Sequence, residues 1–407
     1  MREWKAFKLS DFIHINPKVA LRSGVQYSFV EMKDLNEGQK YVLPSQEKKL
    51  KGGARFNDYD TLFARITPCL QNGKICQVMG LKDSNGFGST EFLVFRGVED
   101  ISDSNFIYYL SRYDVVRKFA EQNMVGTSGR QRVSKEAFDK IKLQLPSLAE
   151  QKLIAEILSS LDDKIELTNK INQELESLAQ LLFKNWFVDF EFPNKNGEPY
   201  KSSGGEMIDS ELGEIPKGWE VKSLDKIADY LNGLALQKFP AESDSKFLPV
   251  IKIKELRQKD ITNSDKASIN IPEKYIVNDG DVLFSWSGSL MIDFWTSGKG
   301  ALNQHLFKVT SEYYPKWYYY MWTKYHLLEF IEIAESKATT MGHIQRQHLT
   351  NAKVLVPDSN RLSFFSLIYE PIISKIIDTR IENNKLAALR DTLLPKLISG
   401  ELQINEN

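Results

Sequence analysis

The sequence predicts an α+β protein: two similar α+β domains separated by two long helices packed as an antiparallel coiled coil. Three observations predict it. The chain repeats itself once, with a period of about 210 residues. Each copy mixes short strand-like alternations with aromatic helix patterns. Each copy ends in a proline followed by a long run of helical periodicity.

The repeat places the first domain at 1–147. Its opening, Trp4 to Ile13, faces Trp219 to Ala228. Asn57-Asp58-Tyr59-Asp60 faces Asn278-Asp279-Gly280-Asp281, and Glu91-Phe92-Leu93 faces Gln304-His305-Leu306. Phe106-Ile107-Tyr108-Tyr109 faces Trp317-Tyr318-Tyr319-Tyr320, and Lys142 to Pro146 faces Lys353 to Pro357. Strands are expected at Ile75–Met79, Phe92–Phe95 and Asp281–Ser285, with turns at Asn72-Gly73, Asn85-Gly86 and 278–281. Aromatic helices are expected at 104–121 and 315–333.

The first spacer helix is expected at 148–189. From Ala149 to Phe187 there is no Gly or Pro, and Ile154, Leu158, Leu161, Ile165, Leu175, Leu178 and Leu182 fall at helical spacing. Residues 190–214 read as a linker rich in Gly, Pro, Ser and charge. The second domain follows at 215–358, and a second helix with its tail at 359–407. Ile373, Ile377, Ile381, Leu386, Leu389, Leu393 and Leu397 form its seam, and Ser399-Gly400 is its stop. Neither stripe can be buried by one helix alone, so the two helices pack on each other.

The 407 residues, 42% hydrophobic and 26% charged, suit two or three globular domains. The opening Met1-Arg2-Glu3-Trp4 has no signal-peptide character, and no run approaches about 18 apolar residues. No membrane association is therefore expected. Cys69 and Cys76 are the two cysteines and suit a cytoplasmic protein with small buried thiols. The net charge of −1 is uneven: residues 1–150 carry 23 basic against 18 acidic groups, and residues 151–214 carry 6 against 13. Cations concentrated in the domains permit DNA binding without establishing it.

Catalytic motifs are missing where an enzyme would need them. There is no phosphate loop and no glycine-rich methyl-donor turn. The one Asn-Pro, Asn16-Pro17, continues into Lys18 and not into the Asn-Pro-Pro-aromatic site of an adenine methyltransferase. Glu31-Met32-Lys33 and Glu47-Lys48-Lys49 lack the Pro-Asp of a nuclease site. His14, His305, His326, His343 and His348 have no completing cluster, so no metal is expected. Ser285-Trp286-Ser287 is not a nucleophile elbow.

Polar loops recur instead. Major-groove readout uses Arg or Lys on guanine, Asn or Gln on adenine, and Ser or Thr on either. The candidates in the first domain are Arg55, Arg65, Asn72, Lys74, Ser128, Arg130, Gln131 and Arg132. In the second they are Lys252, Lys254, Ser285, Ser287, Gln304, Thr339, His343, Gln345 and Arg346. On the residues alone two other readings stay open. A stand-alone methyltransferase or nuclease would be active as the purified chain. A helical scaffold would bind partners through 150–187 and 370–400 without sequence preference.

Several strings resemble the specificity subunits of type I restriction–modification systems. Leu145-Pro146-Ser147-Leu148-Ala149-Glu150-Gln151 resembles their entry into the first spacer helix. Phe187 to Pro193, Tyr200 to Glu206 and Leu212 to Pro216 resemble their central linker. Ile215 to Leu224 resembles a recognition-domain opening, and Thr392 to Leu402 their C-terminal end. Val356-Pro357-Asp358-Ser359-Asn360 departs from the pattern, lacking Ala-Glu-Gln. The resemblance implies a non-catalytic subunit whose two target-recognition domains each read half of a bipartite, asymmetric double-stranded DNA target. The helices would space the halves and dock two methylation subunits. Those partners would carry S-adenosylmethionine, and restriction subunits would carry ATP and Mg; this chain would bind no cofactor directly.

Overall fold

The computed structural model describes residues 4–336 and 342–404. It forms two compact units, Met1–Leu167 with Lys385–Asn407, and Thr168–Asn384. The units cut across the expected spacer segments, because each α+β domain shares its core with portions of both long helices.

In the first unit a five-stranded sheet has the order Ile13–Ile15, Phe92–Gly97, Thr61–Ala64, Ile75–Val78, Tyr41–Val42. Its central strands are buried on both faces, and the two-residue pleat sorts their side chains. Phe63, Ile75, Leu93 and Phe95 pack toward the helix Ser104–Arg112. Leu62, Cys76 and Val94 pack toward Val30, Val42 and Phe56. A second sheet runs Gln46–Lys49, Gln26–Val30, Asn85–Gly88, Ala54–Asn57, and a short ladder joins Lys5–Lys8 to Lys142–Leu145.

The second unit repeats this topology, without a counterpart of the edge strand Tyr41–Val42. Asp229–Asn232, Leu306–Thr310, Val282–Ser285 and Met291–Phe294 form one sheet. Lys266–Ala267, Leu248–Ile251, Gly300–Leu302 and Ile276–Val277 form the other, and Glu220–Ser223 pairs with Lys353–Val356. Each second sheet contains one parallel pair in the same place. Asn57 and Asn278 open identical turns, each amide donating to the aspartate three residues on, Asp60 at 2.7 Å and Asp281 at 2.8 Å. The duplication seen in the sequence is thus a duplication of topology.

Local differences have physical causes. Both expected aromatic helices are broken: Ser104–Arg112 ends at Tyr113, whose ψ of 130° is extended, before Asp114–Gln122 begins. Lys316–Tyr325 likewise stops at His326 before Leu327–Ser336. Asn85-Gly86 is strand, not turn; a Cβ on Gly86 would meet Phe56 at 2.8 Å, so the glycine serves close packing. Cys76 is buried, which pushes its thiol up to about 12, whereas Cys69 is only half-buried.

The long helices are Leu148–Phe183 and Ser359–Ser399, about 54 and 62 Å at 1.5 Å per residue. The first continues as a π-helical turn, Lys184–Val188, and the second stops where Gly400 adopts φ +76°. In the first unit Ile154 and Leu158 share a core with Leu394, Leu397 and Ile398. In the second, Ala179 and Phe183 share one with Phe365, Tyr369 and Ile373.

The expected all-apolar seam needs correction. Leu158 is buried, while Leu161, Ile165, Leu175, Leu182, Ile377, Ile381 and Leu393 are half-buried. Leu178 and Leu389 face outward, 43% and 46% exposed. The buried line carries polar side chains instead. In the second unit Thr168 Oγ1 donates to Asn383 Oδ1 (2.5 Å), Asn383 Nδ2 to Asn169 Oδ1 (2.9 Å), and Thr379 Oγ1 to Asn172 Oδ1 (2.6 Å). Residue numbers rise on one helix as they fall on the other, so the pairing is antiparallel. In the first unit Asp162 and Arg390 meet at 2.6 Å, 2% and 3% exposed. Each helix also packs on a domain, so a single 3.5-residue stripe cannot describe its burial.

Residues 190–214 are folded. Phe190, Phe192 and Tyr200 are buried with Ile215 and Trp219 in the second unit's core. Phe192 stacks on both Tyr200 (4.6 Å) and Trp219 (5.2 Å), with the Arg361 guanidinium 4.7 Å from the Phe192 and Tyr200 rings. Met207–Ser210 and Gly213–Pro216 form a hairpin. Aromatic anchors spaced through a polar run are invisible to an averaged composition. Among the described residues no helix is long and apolar enough to cross a membrane.

Candidate nucleic-acid interface

In the first unit the strand Thr61–Ala64 ends at Arg65, whose amide donates to the Glu91 carbonyl (2.9 Å) and whose carbonyl accepts from Val133 (2.9 Å). The loop 125–132 closes on itself through a Val125–Arg132 bridge and docks beside the strand end through an Ile66–Arg132 bridge. Thr67 and Gln131 add a reciprocal pair, the Thr67 amide to the Gln131 carbonyl and the Gln131 amide to Thr67 Oγ1, both 3.0 Å. Gly129, at φ +76°, turns the loop tip.

This arrangement brings several candidates together. Arg55 and Arg65 line one open groove of about 710 Å³ with Lys18, which sequence reasoning did not single out. Ser128 and Arg130 are exposed on the adjoining loop. Arg132 is held by Glu91 in an ion pair at 2.7 Å, and that carboxylate keeps the guanidinium charge well secured. Gln131 is half-buried with its backbone tied to Thr67. Two candidates lie elsewhere: Asn72 lines a separate cavity beside Arg112, Arg117 and Asp391, and Lys74 donates to the Met32 carbonyl at 3.1 Å.

In the second unit the strand Val282–Ser285 ends the same way. The Trp286 carbonyl accepts from Ile344 at 3.0 Å, and Ser287 bridges His343. Around this point Ser287 Oγ and His305 Nδ1 lie 3.0 Å apart, and Gln304 Nε2 and His305 Nε2 lie 3.3 Å apart. The Trp286 ring lies 5.9 Å from His305 and 6.3 Å from His343. Ser287, Gln304 and His343 are therefore brought together, with Trp286 and His305 as members that sequence reasoning passed over. A tryptophan beside Ser and Gly in a polar loop was the available signal.

Of the other candidates, Ser285 serves structure. Ser285 is fully buried; its hydroxyl donates to the Ser289 carbonyl (2.6 Å) and accepts from the Met291 amide (2.9 Å). It builds the turn and is not a surface group. Arg346 donates to the Tyr230 carbonyl at 3.1 Å over the Phe307 ring. The Gln345 amide donates to His348 Nδ1 at 2.9 Å. Lys252 is paired with Asp265, and Lys254 is exposed on the short helix Ile253–Gln258. Thr339 lies outside the described residues.

The ladders also correct the alignment of the repeat by one residue. Ala64 faces Phe92 and Ser285 faces Leu306, so Glu91 corresponds to His305 and not to Gln304.

Comparison with known proteins agrees with the repeat. The family model for the type I restriction modification DNA specificity domain matches residues 1–177 and 216–390. The MjaIX type I restriction enzyme specificity subunit of Methanocaldococcus jannaschii is 29% identical, over 74% of this chain and 70% of its own. The HindI specificity subunit of Haemophilus influenzae is 24% identical, over 99% of this chain and the whole of its own. The crystal structure of a type I restriction–modification S subunit from M. genitalium has a similar fold, with a TM-score of 0.55 and 15% identity. The match covers 99% of this chain and 97% of that one.

Proposed function

The chain belongs to the type I restriction–modification DNA specificity family, and from that premise we propose that each of its units reads one half of a split, asymmetric DNA target. The observation that carries the reading is the repeated strand end. Both units project a polar loop beside it, 125–132 in the first and the segment containing His343 in the second. Backbone pinned on both sides fixes where the reading side chains start, which base readout needs.

The long helices set the spacing between half-targets and dock two methylation subunits. This chain is non-catalytic: S-adenosylmethionine, ATP and Mg are held by the methylation and restriction subunits, and double-stranded DNA is its own ligand. Cationic groups such as Lys18 and Arg130 hold phosphate, while the strand-end side chains meet base edges.

Domain exchange tests the reading. Replacing residues 1–146 by the corresponding segment of a relative, in the complex with the methylation partner, should change one half-sequence of the target and leave the other intact. A change in both halves, or an unchanged target, would overturn it.

A further inference from the structure

The two units share one backbone device and fill it with different chemistry. Across the ladders Ala64 faces Phe92 and Ser285 faces Leu306. One residue on, the carbonyls of Arg65 and Trp286 accept from Val133 and Ile344. The next residues, Ile66 and Ser287, bridge Arg132 and His343. Arg65 is therefore the counterpart of Trp286, Glu91 of His305, and Arg132 of His343.

In the first unit the device is ionic. Arg132 occupies the Glu91 carboxylate with three hydrogen bonds of 2.7–3.0 Å. Arg65 stands beside that pair on a backbone held at both its N–H and its C=O. Its Nε is buried without a hydrogen-bond partner among the described residues, and the side chain lines the open groove with Arg55 and Lys18. A guanidinium that lines an open groove with a donor still unmatched gains from an acceptor pair supplied from outside. In the second unit the device is aromatic. Trp286 is flanked by the His305 and His343 rings, its indole N–H donates to Asn232 Oδ1 at 2.9 Å, and His305 Nδ1 is matched to the Ser287 hydroxyl. Trp286 thus stands where the first unit has the Arg65 guanidinium, and the Arg346 guanidinium lies over the neighbouring Phe307 ring.

We propose that this strand-end position is specificity-determining in both units: Arg65 reads a guanine in the first half-target, and Trp286 makes an apolar contact with a thymine methyl in the second. A guanidinium fork matches guanine O6 and N7, whereas an indole face offers apolar area and no donor to those atoms. The two halves of the target are therefore read by unlike chemistry from like backbones. This rests on the reading that each unit recognises one half.

The test uses the full chain with its methylation partner, reading methylated-adenine motifs and duplex affinity. The wild-type complex is measured first. If it shows no split motif, the half-target reading itself fails and takes this inference with it. Given a split motif, Arg65→Gln should lose dependence on one guanine of the first half, with about a 10- to 100-fold loss on the cognate duplex. Trp286→Ala should relax one position of the second half, and Trp286→Phe should retain it. A first half without an invariant guanine would overturn the proposal, as would an Arg65→Gln complex with an unchanged motif or one relaxed in the second half. If the variant complex does not assemble, wild type is assayed on duplexes with deazaguanine lacking N7 at each first-half guanine in turn. Weakening at one position is expected, and insensitivity at all of them overturns the assignment.

Discussion

Arg390→Ala should loosen the first unit at the point where the second long helix enters its core. Arg390 and Asp162 are nearly inaccessible and 2.6 Å apart. The guanidinium also donates to the Gly38 carbonyl at 3.0 Å, and Tyr109 Oη donates to Asp162 at 2.7 Å. Burial by itself would lower the Arg390 pKa; Asp391 and Asp162 more than offset it and hold the group above its ordinary value. Truncating one partner leaves the Asp162 carboxylate buried with the Tyr109 hydroxyl as a hydrogen-bond donor and the buried Lys40 ammonium nearby, but without its ion-pair contact. Breaking a buried pair from one side costs about 3–5 kcal/mol.

The two units need not unfold together, so a single global transition is the wrong readout. Amide exchange over Ser104–Arg112 and over 385–399 reports the first unit locally. Protection there should fall on the order of 10²–10³-fold, at about 1.4 kcal/mol per tenfold. Protection in the strand Val282–Ser285 should stay as it was. Asp162→Asn combined with Arg390→Met removes both charges and keeps an acceptor for Tyr109, so most of the loss should be recovered. A fall of less than tenfold for Arg390→Ala, or a double variant no better than the single, would refute the reasoning.

Three further outcomes are expected. Asn383→Leu should destabilise the second unit by about 1–3 kcal/mol by removing the buried amide that pairs with Thr168 and Asn169 across the two helices; denaturant unfolding followed by tryptophan fluorescence checks this. Burial pushes the Asp293 carboxyl up, but Lys259 (2.8 Å) and Arg380 (2.7 Å) outweigh it and hold the group below its ordinary 3.8. Its stabilisation is thus complete above pH 3.8 and lost as pH falls through the lower folded value, so Asp293→Asn should flatten the acid limb of a stability–pH curve. A four-residue insertion after Leu167 lengthens the first helix by about 6 Å and should change the spacer of the target while both half-sequences persist, as methylation mapping would report.

Much of this was legible in the residues because duplication and periodicity are local signals. The turn at 278–281, the strands at Ile75 and Phe92, and the two long helices follow from residue type and spacing. The polar line between the helices did not, because Thr168, Asn172, Thr379 and Asn383 look like surface residues until a partner helix covers them. Residues 190–214 read as a linker because their three buried aromatic anchors, Phe190, Phe192 and Tyr200, are diluted by Gly, Ser and charge. At the candidate interface, residue type picked out Arg55, Arg65, Arg130 and His343. It could not separate Ser285, whose hydroxyl closes a buried turn, from Ser287 two residues on. It also passed over Trp286, whose significance lies in standing where the other unit has Arg65.

The most direct test of the central claim is methylated-adenine mapping by long-read sequencing in cells expressing this chain with its methylation partner. The expected result is one split, asymmetric motif with two defined halves around an unspecified spacer. A continuous motif, or no motif from a complex that still assembles on purification, would contradict the account.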